Sequence, residues 1–505
     1  MRPVWRVADV RAAEAGLMAT LPPGTLMQRA AAGLARRCAL LLADRGGVYG
    51  ARVLLLVGSG DNGGDTLYAG ARLAGRGAAV SALLLNPGRA HAGGLAAFRA
   101  AGGRLVDRPP AVVDLVLDGI VGIGASGGLR ETADQLAASL VRHCGRDGDR
   151  ASVVAVDVPS GVAVDTGHVP LAASGRPNAV RADVTVTFGA LKPALVVGPA
   201  APLAGQVELV DIGLAPWLRG TPALRVTEWS DLVDWWPRLG AASEKYSRGV
   251  VGVATGSATY PGAAVLSVGG ALAGPTGMVR YAGGARAEVL HQHPSVIATG
   301  RVADAGRVQA WVCGSGLGTG EEAAAELRAV LAAPVPVVLD ADALTLLVDG
   351  SLADRLRKRD APIVVTPHDR EFTRLCGESP GTDRVAATLR LAAWMNAVVL
   401  LKGDRTVIGT PDGRAYVNPT GTPALATGGT GDVLAGLLGS LLAAGVPADR
   451  AAAMAAYLHG LAGREAARGG PVTAPDVADA LRPVLARLGA AVGSAGPGRR
   501  DRPGK

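Results

Sequence analysis

Short, continuous apolar runs recur through the first part of the chain: Arg52–Val57, Ala79–Leu85, Ala111–Asp118, Ser152–Asp157, Ala182–Phe188 and Val207–Asp211. Runs this short, bounded by glycine, proline or asparagine and without polar alternation, read as strands covered on both faces, the habit of a parallel sheet. Between them lie stretches with helical spacing, among them Met27–Ala43 and the residues leading to Arg76, and the whole segment Met1–Ala51 reads as helical. Strand, helix, strand in that rhythm predicts an α/β unit. A polar connector carrying tryptophans, Leu214–Ala242, then separates this series from a second one. Its strands are Gly249–Gly256, Ala310–Cys313, Val335–Asp340, Ile363–Thr366, Ala397–Lys402 and Thr406–Gly409, followed by helices over 432–445 and 449–468. From Gly493 onward the chain is too polar and too rich in glycine and proline to fold. The expectation is two α/β domains, residues 1–222 and 223–490, and a disordered tail over 491–505.

Length agrees with that division, since 505 residues exceed what one hydrophobic core usually holds. Only 3% of residues are aromatic, which favours close-packed helices and tight turns. The net charge of +8 is scattered and partly concentrated in the tail, so it carries no case for nucleic acid. Cys38, Cys144, Cys313 and Cys376 lie far apart with no metal-ligand spacing, as reduced thiols of a cytoplasmic protein would. The longest apolar run, Val433–Ala448, contains three glycines and a proline, which argues against a membrane span.

Two glycine loops carry the first hints of chemistry. Gly58–Gly63 satisfies G-x-G-x-x-G after a strand and before a helix, yet Asp61 and Asp65 would crowd a pyrophosphate, and the next strand ends in Asn86 where a ribose-binding acid is expected. A sugar-phosphate ligand held by backbone N–H groups, with side-chain oxygens left for a hydroxyl or a cation, accounts for it better. The second loop, Thr427–Asp432, sets glycines 428, 429 and 431 at the mouth of an apolar helix and places an acid beside them. Backbone N–H groups and the helix dipole suit phosphate there. A carboxylate in that place makes sense as a base for a hydroxyl attacking phosphorus, or simply as a helix cap. Further strand-end motifs are Cys313–Gly318, Asp340–Leu344 with two carboxylates on the same side of a continuing strand, Thr366–Glu371 and Leu401–Thr406. His291 and His293 lack a third metal ligand in their vicinity.

At this point a resemblance becomes specific. Asp61–Asp65, Asp118–Gly124, Val156–Gly161 with Asp165–Gly167, and Ala182–Pro193 resemble, in order, the motifs of NAD(P)H-hydrate epimerases, over about Met27 to Gly213. Lys245–Gly249, Tyr260–Ala263, Asp340–Leu344, Thr366–His368, Lys402-Gly403 and Ala426–Leu434 resemble those of the ADP-dependent NAD(P)H-hydrate dehydratases, over about Glu244 to Arg487. The resemblance implies a Rossmann-like α/β/α sandwich followed by a ribokinase-like α/β domain. It implies potassium held by Asn62, Asp118 and Ser160, and a hydrated nicotinamide nucleotide held by Asp61, Asn62, Gly63, Gly64, Asp65, Gly122, Ile123, Gly124, Ala125, Ser126, Gly127, Gly128 and Asp157, with Asp157 catalytic. In the second half it places Ala263, Gly316, Gly318, His368 and the catalytic Asp432 against the hydrate. Lys402, Gly403, Asp404, Arg405, Thr406 and Gly431 would hold ADP with Mg2+. Lys192, at a strand end, is a weaker site candidate.

The chain departs from these patterns in places. Asp61 and Thr66 stand where the epimerases usually carry Asn and Gly, and Gly119-Ile-Val where Ala-Leu-Phe is common. Ser315 replaces a usual Pro, and Asp369-Arg370 bring two charges beside His368 in place of Pro-Gly. The function implied is repair of NAD(P)H hydrates, by R/S epimerisation and ADP-dependent dehydration, in a cytoplasmic homo-oligomer with no nucleic-acid or membrane partner. The rivals are a ribokinase-like small-molecule kinase with a non-catalytic first domain, and a nucleotide-binding regulator.

Overall fold

In the computed structural model, residues 1–124, 127–140, 149–348 and 350–494 are described. Ala125 and Ser126, Cys144 and the tail from 495 to 505 lie outside them. The chain forms two compact units, Pro3–Ala223, and Leu224–Lys505 together with Met1–Arg2.

The first unit is built on a seven-stranded sheet in the order Arg104–Leu105, Ala79–Leu84, Arg52–Val57, Leu115–Gly119, Ser152–Val156, Val184–Phe188, Gln206–Val210. Every neighbouring pair is parallel. The apolar runs explain why. Along Arg52–Val57, Val53, Leu55 and Val57 enter one core, with Leu34 and Cys38 of the helix Thr25–Ala43, while Leu54 and Leu56 enter another on the opposite face. Each such side chain contributes about 1.5–3 kcal/mol on burial, so only a sheet covered on both sides satisfies the sequence. The chain winds to one edge and then restarts beside its first strand. That reversal opens a crevice beyond the carboxyl ends of Arg52–Val57 and Leu115–Gly119, where open α/β sheets bind ligands.

The second unit repeats the winding. From Ile297–Thr299 at one edge its sheet runs through Met278–Ala282, Val250–Ala254, Ala310–Cys313, Val337–Leu339, Ile363–Val365 and Val398–Leu401, all parallel. An antiparallel pair, Val407–Gly409 and Ala415–Val417, and then the parallel Leu224–Val226 extend it. Its reversal lies between Val250–Ala254 and Ala310–Cys313. The helix Thr430–Ala443 covers one face, and two glycines let it sit unusually close to the helix Pro261–Ala273. A side chain on Gly436 would meet the Ser267 carbonyl at 1.9 Å, and one on Gly270 the Val433 carbonyl at 2.1 Å.

Several expectations are corrected. Arg2–Val4 is a strand, not helix, and the supposed connector contains the strand Leu224–Val226 and the helix Trp229–Trp235. The final helix, Ala474–Ser494, continues into the segment read as tail. The strand Val337–Leu339 stops before Asp340, and Asp342 opens a helix, so the two acids share no strand face. Among the described residues no helix is long and apolar enough to cross a membrane.

Candidate active sites

At the crevice of the first unit, the helix Asp61–Ala74 begins at Gly60 and aims its free N–H groups into the opening. Gly58 is required there, since a side chain would strike the Ile120 carbonyl at 1.8 Å. Asn62 and Asp65 are buried, whereas Asp61 is exposed. Asp118, wholly buried, accepts the Ser160 hydroxyl at 2.6 Å and the Ser160 N–H at 2.9 Å. Burial outweighs these hydrogen bonds and pushes its carboxyl up to about 6. The side chain of Asn62 lies against Gly122, 3.2 Å from where a Cβ would stand, and its Nδ2 finds no partner among the described residues. Asp118 and Ser160 thus form a buried pair around a carboxylate with no ion-pair partner among the described residues, and Ser160 Oγ accepts the Val121 N–H at 3.0 Å next to the Gly122 against which Asn62 lies. Such a set fits an alkali ion.

Asp157 lies at the end of the next strand with φ +68, a left-handed conformation that is strained for an aspartate. Its Oδ1 accepts from Lys192 Nζ at 2.5 Å, Thr187 Oγ1 at 3.0 Å and the Phe188 N–H at 3.2 Å. Asp65 Oδ1 is buried without a partner among the described residues. Burial first, then the carboxylates of Asp157, Asp61 and Glu14, hold Asp65 well above the ordinary carboxylate range. Glu14, on the helix Val7–Met18, is raised by the same neighbourhood, principally by burial. Arg11 of that helix reaches within 3.3 Å of the Cβ position of Gly124. Sequence reading missed both, because they precede every motif. The loop Gly127-Gly128 is tied down by Asn178, which exchanges hydrogen bonds of 3.1 Å with Leu129 N–H and carbonyl.

The two departures at Thr66 and Gly119 prove to be one. A Cβ on Gly119 would lie 1.9 Å from Thr66 Oγ1, so the threonine occupies the space that an alanine at 119 would need. Gly119→Ala should destabilise the unit by about 1–3 kcal/mol through overpacking, and Thr66→Gly in the same chain should recover much of that loss. Chemical denaturation checks it; an unchanged midpoint for Gly119→Ala alone would refute the packing.

In the second unit, loops from the two reversal strands meet: Gly256 N–H donates to the Ser315 carbonyl at 2.6 Å. Gly316, with φ +63, packs so that a side chain would touch Ala263 Cβ at 2.8 Å, which brings those two candidates together. The Gly318 N–H is taken by Asp342 at 2.9 Å. Asp340 is the hub. Its Oδ1 accepts from Lys402 Nζ and Thr366 Oγ1, each at 2.8 Å, and its Oδ2 from Ser315 Oγ at 3.3 Å. Burial opposes the charge on Lys402, yet Asp340 and Glu371 outweigh it and hold the ammonium above its ordinary value.

Against this hub comes the helix Thr430–Ala443. Of the loop glycines 428, 429 and 431 at its start, only Gly429 takes positive φ, at +88. The Cβ position of Gly431 lies 3.5 Å from Lys402 Nζ and 3.7 Å from Asp340 Oδ2. Thr430 Oγ1 donates to the Leu425 and Thr427 carbonyls, at 2.9 and 3.1 Å, and closes the loop. Buried His459 donates from Nε2 to the Thr430 carbonyl at 2.9 Å; burial drives it down to about 4 and keeps it neutral. No motif had marked His459. Asp432 is pushed up to about 7 by burial and by Asp340, against the Ser315 hydroxyl and Lys402, which favour its ionised form.

His368 caps the helix Asp369–Cys376: its Nδ1 accepts the N–H groups of Arg370 and Glu371, and Glu371 returns a bond from the His368 N–H at 2.8 Å. With Nδ1 accepting, Nε2 carries the proton, 3.4 Å from Glu371. The charge pair thought to lie beside His368 is different: Asp369 pairs with Arg384 at 2.8 and 2.9 Å, and Arg384 also donates to the Lys402 carbonyl. In the following loop Thr406 Oγ1 bonds the Gly403 carbonyl, and Arg405 is spent on Asp404 and the Pro419 carbonyl. His293 donates to the Val265 carbonyl.

Both units are therefore doubly wound α/β folds with acids and glycine loops gathered at the reversal of the sheet, the architecture of a two-site nucleotide-handling enzyme. A family model described as NAD(P)H-hydrate dehydratase matches residues 251–482, and one described as YjeF-related protein N-terminus matches residues 23–194. The bifunctional NAD(P)H-hydrate repair enzyme Nnr of Mycobacterium tuberculosis is 51% identical over 454 residues, which cover 90% of this chain and 92% of that protein. The enzyme of the same name from Mycobacterium leprae is 48% identical, over 95% of this chain and 98% of its own. A solved ADP/ATP-dependent NAD(P)H-hydrate dehydratase from Bacillus subtilis, co-crystallised with ATP and Mg2+, is 28% identical over 52% of this chain and 99% of its own, with a TM-score of 0.47. The chain belongs to the bifunctional NAD(P)H-hydrate repair enzymes, with an epimerase unit first and a dehydratase unit second.

Proposed function

We propose that the second unit dehydrates the S hydrate of NAD(P)H at the expense of ADP, with Asp432 as base. The hydrate is NAD(P)H with water added across a ring double bond, and hydroxide leaves poorly. Asp432 takes the proton from the C6 hydroxyl, whose oxygen attacks the terminal phosphoryl group of ADP held over the Thr427–Gly431 loop. AMP departs. The ring nitrogen lone pair then expels phosphate from C6, and loss of a proton from C5 restores the double bond. Ala263, Gly316, Gly318 and His368 line the hydrate side, and Lys402–Thr406 with Gly431 the nucleotide side. Asp340 and Asp342 are already engaged by Lys402 and Gly318, so magnesium would come bound to the diphosphate and would supply positive charge there. The observation that carries this reading is a half-buried acid, raised to about 7, at the amino end of a helix that also offers free N–H groups to phosphate.

In the first unit, R and S hydrates interconvert through a planar cation at C6. Asp65 gives a proton to the departing hydroxyl, and Asp157 takes one from the water that adds to the other face. A proton passed back from Asp157 to Asp65 resets the site. Asp61–Asp65 and Gly122–Gly128 hold the nucleotide. Asn62, Asp118 and Ser160 would hold potassium, which supplies a counter-charge to Asp118. Assembly as a homo-oligomer belongs to the same reading.

The test is to incubate prepared hydrate epimers with the protein and ADP and to follow the return of dihydronicotinamide absorbance. Both epimers should be recovered, with AMP and free phosphate; label on a stable phosphorylated product would favour a kinase instead. Because a base must be ionised to act, kcat for dehydration should rise with pH through about 7, with about a tenth of the limiting rate one unit lower. Ser315→Ala removes the hydroxyl that favours the ionised form of Asp432, so that limb should move to higher pH. A flat profile would exclude Asp432 as the titrating base.

A further inference from the structure

Lys192 is 1% exposed and all three of its donors are used, on Asp157 Oδ1 at 2.5 Å, Thr187 Oγ1 at 3.0 Å and the Phe188 carbonyl at 2.9 Å. A buried ammonium is tolerated only when fully paired, and here the pair is reached across 35 residues. Thr187 and the Phe188 N–H bind the same Asp157 oxygen, so three donors converge on Oδ1. Among the described residues none is recorded donating to Oδ2, and the Asp157 side chain retains 10% exposure. The strained φ of Asp157 points the same way, because a left-handed aspartate persists only where its surroundings demand it. The charges facing this pair are Glu14 and Arg11 from the helix Val7–Met18, and Asp61 and Asp65 from the helix Asp61–Ala74. Four carboxylates thus share one buried cation, and that cation is bound to one of them.

We propose that Lys192 is a positioning residue for epimerisation: with Thr187 and the Phe188 N–H it fixes Oδ1 of Asp157, so that Oδ2 is presented to the water that adds at C6. This rests on the epimerase reading of the first unit. Lys192 itself touches neither substrate nor the reacting atoms, and its effect passes entirely through Asp157.

The experiment follows R/S equilibration by chromatography in the full chain without ADP, which leaves the dehydratase idle. Lys192→Met should lower kcat about 100-fold with little change in KM, because Oδ1 of Asp157 is then no longer held by the ammonium. Lys192→Arg, which still offers charged donors to Asp157, should recover much of that kcat. In an Asp157→Asn background, Lys192→Met should cost less than about threefold more, because residues acting as one unit are not additive. That double variant buries no charge, so it remains informative where Lys192→Met alone fails to fold. A wild-type kcat for Lys192→Met, a loss carried mainly by KM, a Lys192→Arg as slow as Lys192→Met, or losses that multiply in the double variant would overturn the assignment. If the wild-type chain equilibrates no hydrate, the epimerase reading fails and not this one.

Discussion

Replacing Asp432 with Asn is expected to reduce ADP-dependent dehydration by about 1000-fold or more while R/S interconversion proceeds at the wild-type rate. Asn matches Asp in size, so the helix start at Thr430 keeps its hydrogen bonds to Leu425 and Thr427, and His459 keeps its bond to Thr430. What disappears is the basicity needed to take the hydroxyl proton, since an amide oxygen accepts a hydrogen bond but does not hold a proton near neutral pH. Nearby acids cannot substitute, because Asp340 is held by Lys402 and Thr366, and Asp342 by Gly318. ADP binding should persist or tighten slightly, since one negative charge has been removed beside a diphosphate. Assaying both reactions on the same preparation separates the outcomes: loss of both activities, or retention of both, would contradict the division between units.

Asp340→Ala is expected to lower the stability of the second unit by about 3 kcal/mol as well as stop dehydration. Asp340 is 2% exposed and satisfies Lys402, Thr366 and Ser315 at once. Removing it leaves the Lys402 ammonium with Glu371, at 3.6 Å, as its ion-pair partner among the described residues, and takes an acceptor from the buried Ser315 hydroxyl and from Thr366, which keeps the Leu339 carbonyl at 3.3 Å. For a unit of this size that corresponds to a fall in melting temperature of about 6–12 °C. Thermal inactivation of dehydration reports it, with epimerisation as the internal reference. Asp340→Asn, whose amide oxygen can still accept from Lys402, should lose distinctly less; equal losses for the two variants would show that the charge pairing is not what matters.

The central strands were legible because burial on both faces writes itself into sequence as short apolar runs, Arg52–Val57 and Val398–Leu401 among them. Several outer strands were less so, although Gln206–Val210 at one edge was foreseen. Arg104–Leu105 is exposed, Ile297–Thr299 partly so, and Met278–Ala282, one strand in from the edge, carries an arginine, so each of these lacks the continuous pattern that a covered strand needs. The glycine loops could be read for a similar reason, since a tight turn after a strand needs particular residues at fixed local spacing. Pairings between loops could not. Thr66 filling the space beside Gly119 looked, residue by residue, like two unrelated departures from a pattern.

By itself the sequence determined two α/β units, the places where their strands end in glycine and acid, and, through motif resemblance, the family. Tertiary structure decided which acid is paired and which is not: Asp157 with Lys192, Asp340 with Lys402, while Asp65, buried, and Asp432, half-buried, lie beside other carboxylates. Identical residue types took opposite roles because the ionisation of a carboxylate depends on burial and on its distance to other charges, and folding sets both by joining segments far apart in the chain.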